Sequence, residues 1–292
     1  MSPADEEREP DEVPARGGSE RDGGAGSEPA AAGPRPDEVP VEAYFVRGRN
    51  AMALWADFGR IFEDHYLHLM QLGVRLTAEQ DELLKESLAL LTLFLASRPN
   101  DESVAWTLNF REPPLNVFVT GDSVRGNVVG RVFTEDVKTA ETDLFFAQVS
   151  SPRNPMRRST VEIRGRDMLR VVEDYHRQSE QFPARFFRLG GDRYGMLVAH
   201  PDVDRAWYES LDVEGFRRLA EDEELRLIER RAYHYACGCD LDLVLKVVVD
   251  AYGRDPERIL AGQERIEVRC PRCGGVFHVG REGIERYLRE NP

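Results

Sequence analysis

Cysteine is nearly missing from this chain: 292 residues contain four, all within the last fifty-six. Any thiol chemistry is therefore confined to one end of the molecule. Positive charge is also short, with 39 Lys and Arg against 53 Asp and Glu and a formal net charge of −14. A nucleic-acid partner is disfavoured, because phosphate backbones are met by a basic stripe that displaces counterions. No long apolar run is present either. The best, Leu83 to Ala96, spans about fourteen residues and is interrupted by Lys85, Glu86, Ser87 and Thr92, short of the ~20 that cross a bilayer. No apolar signal segment opens the chain, and no Walker-type phosphate loop appears. Six scattered histidines and no Ser/His/Asp or Cys/His set at a telling spacing argue against an enzyme. These absences predict a soluble, cytoplasmic protein with no nucleic-acid or membrane partner.

What is there concentrates in the cysteines: Cys237-Gly238-Cys239, thirty residues, then Cys270-Pro271-Arg272-Cys273. Four thiols in two tight pairs suit a tetrahedral Zn²⁺ site, which takes four soft ligands at ~2.3 Å. In the second pair the backbone amides are expected to point at the first sulfur, and Gly274-Gly275 to close the turn. The first pair would close a small, strained ring if oxidised, a trait of a switch more than of a staple. His278 is left out, since four sulfurs already fill a closed site. Other readings stay open at this point: a purely structural zinc knot, a nucleic-acid-binding ribbon, or a dithiol oxidoreductase motif. The last wants its pair at a helix start in a βαβ unit, whereas here a Gly-Gly turn follows.

The rest reads as an α+β protein, an antiparallel sheet body with flanking helices, a charged helical linker and a small C-terminal four-cysteine domain. Residues 1–40 are rich in Pro, Gly, Ala and acidic side chains and are expected to be a disordered acidic tail, with Pro-Asp-Glu-Val-Pro at Pro10 to Pro14 and again at Pro36 to Pro40. The body is assigned to 41–203. Within it Trp55, Phe58, Ile61, Phe62, Tyr66 and Leu69 predict one amphipathic helix, and Ala78 to Ala96 a second, N-capped by Thr77 with Gln80. Strands are expected over Val104 to Phe110, Leu115 to Thr120, Asn127 to Phe133, Leu144 to Val149, Thr160 to Arg164, Phe186 to Leu189 and Met196 to Ala199, with a helix from Asp167 to Gln181. The linker, 204–235, alternates in charge sign, has few apolar residues and is expected to be helical but dependent on a neighbour. The cysteine domain is 236–292.

The cysteine spacing resembles the redox switch of the heat-shock protein 33 family, also called the 33 kDa chaperonin. Val46-Arg47-Gly48-Arg49 is similar to that family's N-terminal Arg-Gly element. Tyr175 to Pro183, which carries Ser179-Glu180-Gln181, is similar to its Tyr…Ser-Glu-Gln-apolar-Pro signature, and Gly195-Met196-Leu197-Val198 with Pro201 to its Gly-rich strand. The resemblance covers Pro40 to Pro292 and implies a redox-regulated, ATP-independent holdase for unfolded client proteins. It implies Zn²⁺ on Cys237, Cys239, Cys270 and Cys273 in the reduced state, disulfides Cys237–Cys239 and Cys270–Cys273 with zinc release on oxidation, and a homodimer when oxidised. Three departures stand out: the linker looks short for the family, Asp240 follows Cys239 where a small polar residue is typical, and the family's glycine-rich sheet segments are thinned around Phe110 to Arg125. The alternative is a zinc-clipped structural or adaptor protein without redox-switched activity.

Overall fold

Residues 35, 37–180 and 182–292 are described by a computed structural model. Residues 1–34 and 36 of the tail, with its first Pro-Asp-Glu-Val-Pro, and Gln181 lie outside the described residues, whereas the second repeat ends inside the first strand, since Val39 and Pro40 belong to it. The chain opens on a hairpin, β1 (Val39–Val46) and β2 (Ala51–Asp57), followed by α1 (Gly59–Leu72) and α2 (Ala78–Ala96). A meander follows: β3 (Ser103–Phe110), β4 (Leu115–Asp122) and β5 (Asn127–Phe133), then β6 (Leu144–Ser150) and β7 (Arg157–Glu162), each paired antiparallel to a neighbour. Next come α3 (Met168–Ser179) and the hairpin β8 (Ala184–Gly190) and β9 (Arg193–Ala199). Three short helices, α4 (Arg205–Ser210), α5 (Val213–Arg217) and α6 (Leu219–Asp222), lead into β10 (Leu225–Tyr235). The last elements are α7 (Leu241–Tyr252), α8 (Pro256–Leu260), the hairpin β11 (Arg265–Arg269) and β12 (Val276–Gly280), and α9 (Arg281–Glu290).

The α+β reading holds, and β3 to β6 lie within two residues of the expected spans, while β7 runs Arg157–Glu162 where Thr160 to Arg164 was expected. Among the described residues the large sheet has ten strands in the order β7-β6-β3-β4-β5-β10-β1-β2-β9-β8. Helix α2 packs against β4 and β5, and its Leu84, Leu88, Leu91 and Leu95 are sealed in the main core with Phe94, Trp106 and Tyr175. The expected capping box at its start is present: Thr77 Oγ1 accepts from the Gln80 amide at 3.3 Å, and Gln80 Oε1 accepts from the Thr77 amide at 3.0 Å.

Two elements differ from expectation. Trp55 is on β2, not on the first helix; a short apolar run fits both the helical and the strand period, and pairing with β1 and β9 decides it. Phe58, Ile61 and Phe62 are core as expected, while Tyr66 is 60% exposed. The second correction concerns the linker. Only its first half is helical, and Leu225–Tyr235 is an eleven-residue strand. Leu, Arg and Glu favour helix locally, but the strand finds main-chain partners far away in sequence, antiparallel on β1 from Val39 to Val46 and parallel on β5 at His234 and Tyr235. Tyr233 alone of its side chains is fully buried.

The short helices are not loose. Tyr208, Leu211, Phe216 and Leu219 pack with Phe187, Leu189, Leu197 and Ala53 in a second apolar cluster. A third cluster, including Leu245, Val248, Leu260, Val279 and Ile284, serves α7, α8, α9 and the small hairpin.

Candidate metal centre

Both cysteine pairs sit at connections between regular elements. β10 ends at Tyr235, and the chain turns through Gly238, at φ 66°, so that Cys237 and Cys239 lie on either side of it. Asp240 then starts α7, its Oδ1 accepting from the Leu243 amide at 2.7 Å. The unexpected acid after Cys239 is thus a helix N-cap. The second pair lies in the turn between β11 and β12. There the Gly274 amide donates to the Cys270 carbonyl at 2.9 Å and the Cys270 amide to the Gly275 carbonyl at 2.8 Å. Gly274 has the left-handed φ of 81° that this turn requires. The amide aimed at sulfur is that of Gly275, which donates to Cys273 Sγ at 3.3 Å, so it serves the second sulfur of the pair where the first was expected.

The structure brings all four cysteines together. Their Sγ atoms lie within 4.8 Å of one another, a group able to hold a metal ion. The short separations cross between the pairs, 3.6 Å for Cys237 and Cys270 and 3.5 Å for Cys239 and Cys273, far beyond the ~2.05 Å of a disulfide. Cys270 and Cys273 are buried; Cys239 is partly open. His278 lies outside the group, on β12 opposite Glu267.

Crowding sets the charge. Hydrogen bonds from the Cys237 and Cys270 thiols, then from His68 and the Gly275 amide, hold the Cys273 thiol well below its ordinary value. The same contacts push Cys237 up, and burial followed by the bond to Cys273 pushes Cys239 up to about 12. Mutual hydrogen bonding among the crowded thiols thus favours the ionised form of Cys273 and the protonated forms of Cys237 and Cys239.

The centre is seated on the body. Val129 of β5 packs beneath Cys270 and Cys273, with Tyr235, Phe277 and the other two cysteines around it. Asn127 Nδ2 donates to the Ala236 carbonyl at 2.8 Å, and the Ala236 amide to the Val128 carbonyl at 3.0 Å, so β5 holds the chain just before Cys237. From α1, His68 Nε2 is 2.9 Å from the Cys273 carbonyl, and His65 Nδ1 is 3.5 Å from the Tyr235 hydroxyl. Sequence reasoning treated the histidines as scattered. The signal was available: His65 and His68 are three apart and share a helix face.

A family model described as Hsp33 protein matches residues 196–280, which include all four cysteines. A 33 kDa chaperonin of Photorhabdus laumondii is 25% identical over 140 residues, 39% of this chain and 48% of that protein. One from Shewanella loihica is 24% identical over 240 residues, 72% of this chain and 83% of that protein. The first match therefore spans about half of the relative's length. Among solved structures, the crystal structure of the 33 kDa chaperonin (heat shock protein 33 homolog) of Thermotoga maritima superposes with a TM-score of 0.67 at 13% identity, covering 87% of this chain and 98% of that one. At that identity the likeness is one of fold.

Proposed function

We propose that this chain, a divergent relative of the heat-shock protein 33 family, is a redox-regulated, ATP-independent holdase whose reduced form carries zinc on Cys237, Cys239, Cys270 and Cys273. One observation carries the reading: four sulfurs from segments thirty residues apart converge within 4.8 Å and rest on α1 and β5 of the sheet body. The donor set fits. Sulfurs at 3.5 and 3.6 Å match the ~3.8 Å edge of a tetrahedron with ligands at ~2.3 Å. Bound zinc supplies a closed tie between the two segments, with folding free energy on the order of 10 kcal/mol.

The chain's own chemistry undoes that tie. A thiolate sulfur gives an electron pair to a peroxide oxygen, forming a sulfenic acid and releasing hydroxide, which takes a proton to become water. The neighbouring thiol then attacks that sulfur and a second water leaves. Each disulfide thus consumes one peroxide and gives up two electrons and two protons. Pairing as Cys237–Cys239 and Cys270–Cys273 closes loops inside each segment and leaves nothing between them. The seat under Val129, Tyr235 and His68 then loosens, and apolar surface becomes available to unfolded clients in the cytoplasm. Among the described residues no helix is long and apolar enough to cross a membrane, in keeping with such a role. Oxidised copies pairing through the uncovered surface account for a homodimer.

A second reading, a zinc-clipped structural or adaptor protein, draws on the linker. β10 is paired along its length and α4 to α6 have their own apolar cluster, so the linker is better anchored than its composition suggests. Zinc release and aggregation of a chemically unfolded client, measured before and after peroxide or hypochlorous acid, separate the two. The holdase suppresses aggregation near stoichiometrically only when oxidised; equal suppression in both states, or in neither, leaves the adaptor.

A further inference from the structure

The turn bearing Cys270 and Cys273 touches the body through a contact that is not a metal ligand. His68 comes from the middle of α1, and its Nε2 lies 2.9 Å from the Cys273 carbonyl. A carbonyl only accepts, so Nε2 carries the hydrogen and donates. The His68 ring is held in turn by Tyr235, with ring centroids 5.7 Å apart, and Tyr235 is the last residue of β10. On the other side of the turn Gly274 approaches the body closely: a Cβ there would lie 3.4 Å from Leu72 Cδ1 and 3.5 Å from the Arg131 guanidinium carbon. Helix α1 and strand β5 thus form a receptor for the turn, and His68 is its polar point of attachment.

We propose that His68 is the positioning residue that latches the cysteine turn onto the body, and that opening this latch governs how fast the centre is oxidised. The inference rests on the metal-bound reading above. Cys270 and Cys273 are only 6% and 4% exposed while the turn is seated. Oxidants attack sulfur they can reach. With the latch open the turn lifts from Val129 and Leu72, and both sulfurs face solvent. Opening the latch removes no sulfur from the donor set, so metal content and reactivity are read separately. The same hydrogen bond carries the news inward, because the turn's release frees the His68 face of α1 and the end of β10 beside it.

The test compares full-length His68→Phe, which keeps a ring against Tyr235 but has no donor, with His68→Gln, whose amide nitrogen reaches about as far as Nε2. Zinc content, zinc release by peroxide followed with a chromogenic chelator, and hydrogen exchange over residues 66–72 and 270–276 are measured without any client. Expected are one zinc per chain in all three proteins, release roughly tenfold faster in His68→Phe with lost protection at the turn, and His68→Gln within about twofold of the parent. Parent-like release in His68→Phe, or His68→Gln behaving like His68→Phe, overturns the latch. Loss of zinc from His68→Phe also overturns it, because His68 would then build the centre and not gate it. Since no client is involved, failure of the holdase reading leaves the outcome interpretable.

Discussion

Cys270 is buried, belongs to the turn between β11 and β12, and lies 3.6 Å from Cys237 of the other segment. Cys270→Ser removes one of four soft donors, and a three-sulfur set is no longer a closed structural site. The variant is expected to hold well under half an equivalent of zinc and to suppress client aggregation partly even when reduced; metal analysis and a light-scattering assay check both. The convergence of the four sulfurs was legible because two tight cysteine pairs and no other cysteine suggest one cluster. Their seat was not. His68, Asn127 and Val129 come from elements more than a hundred residues earlier; His65 and His68 on one face of α1 mark a polar patch, but nothing local names the cysteine turn as its partner. Asp240, a departure from the resemblance, becomes ordinary once the helix it caps is seen.

At the scale of elements, the Tyr175 to Pro183 signature turns out to be an anchor at the end of α3. The Tyr175 hydroxyl donates to Glu180 Oε1 at 2.6 Å, and Arg98 Nη1 meets Glu180 Oε2 at 2.9 Å while its Nε holds Glu102 at 2.5 Å. This joins the end of α3 to the connection after α2, next to the buried Trp106 and Phe145. Glu180→Ala leaves the Tyr175 hydroxyl and Arg98 Nη1 without their acceptor in a part-buried site while Glu102 keeps the rest of the guanidinium paired, and is expected to lower unfolding free energy by about 2 kcal/mol, measurable by urea denaturation, with zinc content unchanged. The meander strands were readable because alternation and turn residues are local signals. β10 was not, since its polar face, exposed Leu227 and Ile228 and sign-alternating charges describe a helix equally well. Its partners settle the matter. The Arg-Gly element serves the same region: Arg47 meets Glu224 at 2.6 Å, and Arg49 meets Glu223 at 2.9 Å and Asp204 at 2.7 Å, pinning both ends of the short-helix segment to the β1–β2 turn.

For the whole molecule, acid sensitivity follows from buried histidine. His176 is 4% exposed, hydrogen-bonded at Nδ1 to the Phe182 carbonyl at 3.3 Å, and burial lowers its pKa to about 4. The unfolded chain binds this proton near pH 6.5, before the folded one does. Stability is therefore complete above about pH 6.5 and is lost as pH falls towards 4, by about 2 kcal/mol at pH 5 from this residue alone. Urea unfolding at pH 7 and pH 5 should show the drop, and His176→Gln should shrink it by a comparable amount even though the variant is less stable at both.

The strand order carries one more consequence, for how the chain is made. β10 lies between β5 and β1, joining a half sheet of β7, β6, β3, β4 and β5 to another of β1, β2, β9 and β8. Both halves leave the ribosome before the strand that unites them. Until residues 225–235 emerge, β1 presents an unpaired edge eight residues long, the kind of edge on which nascent chains stick to one another. A chain proposed above to shield others from aggregation thus passes through a stage of its own synthesis in which it needs shielding itself. That interval ends only as the first cysteine pair, two residues behind the closing strand, comes into solution.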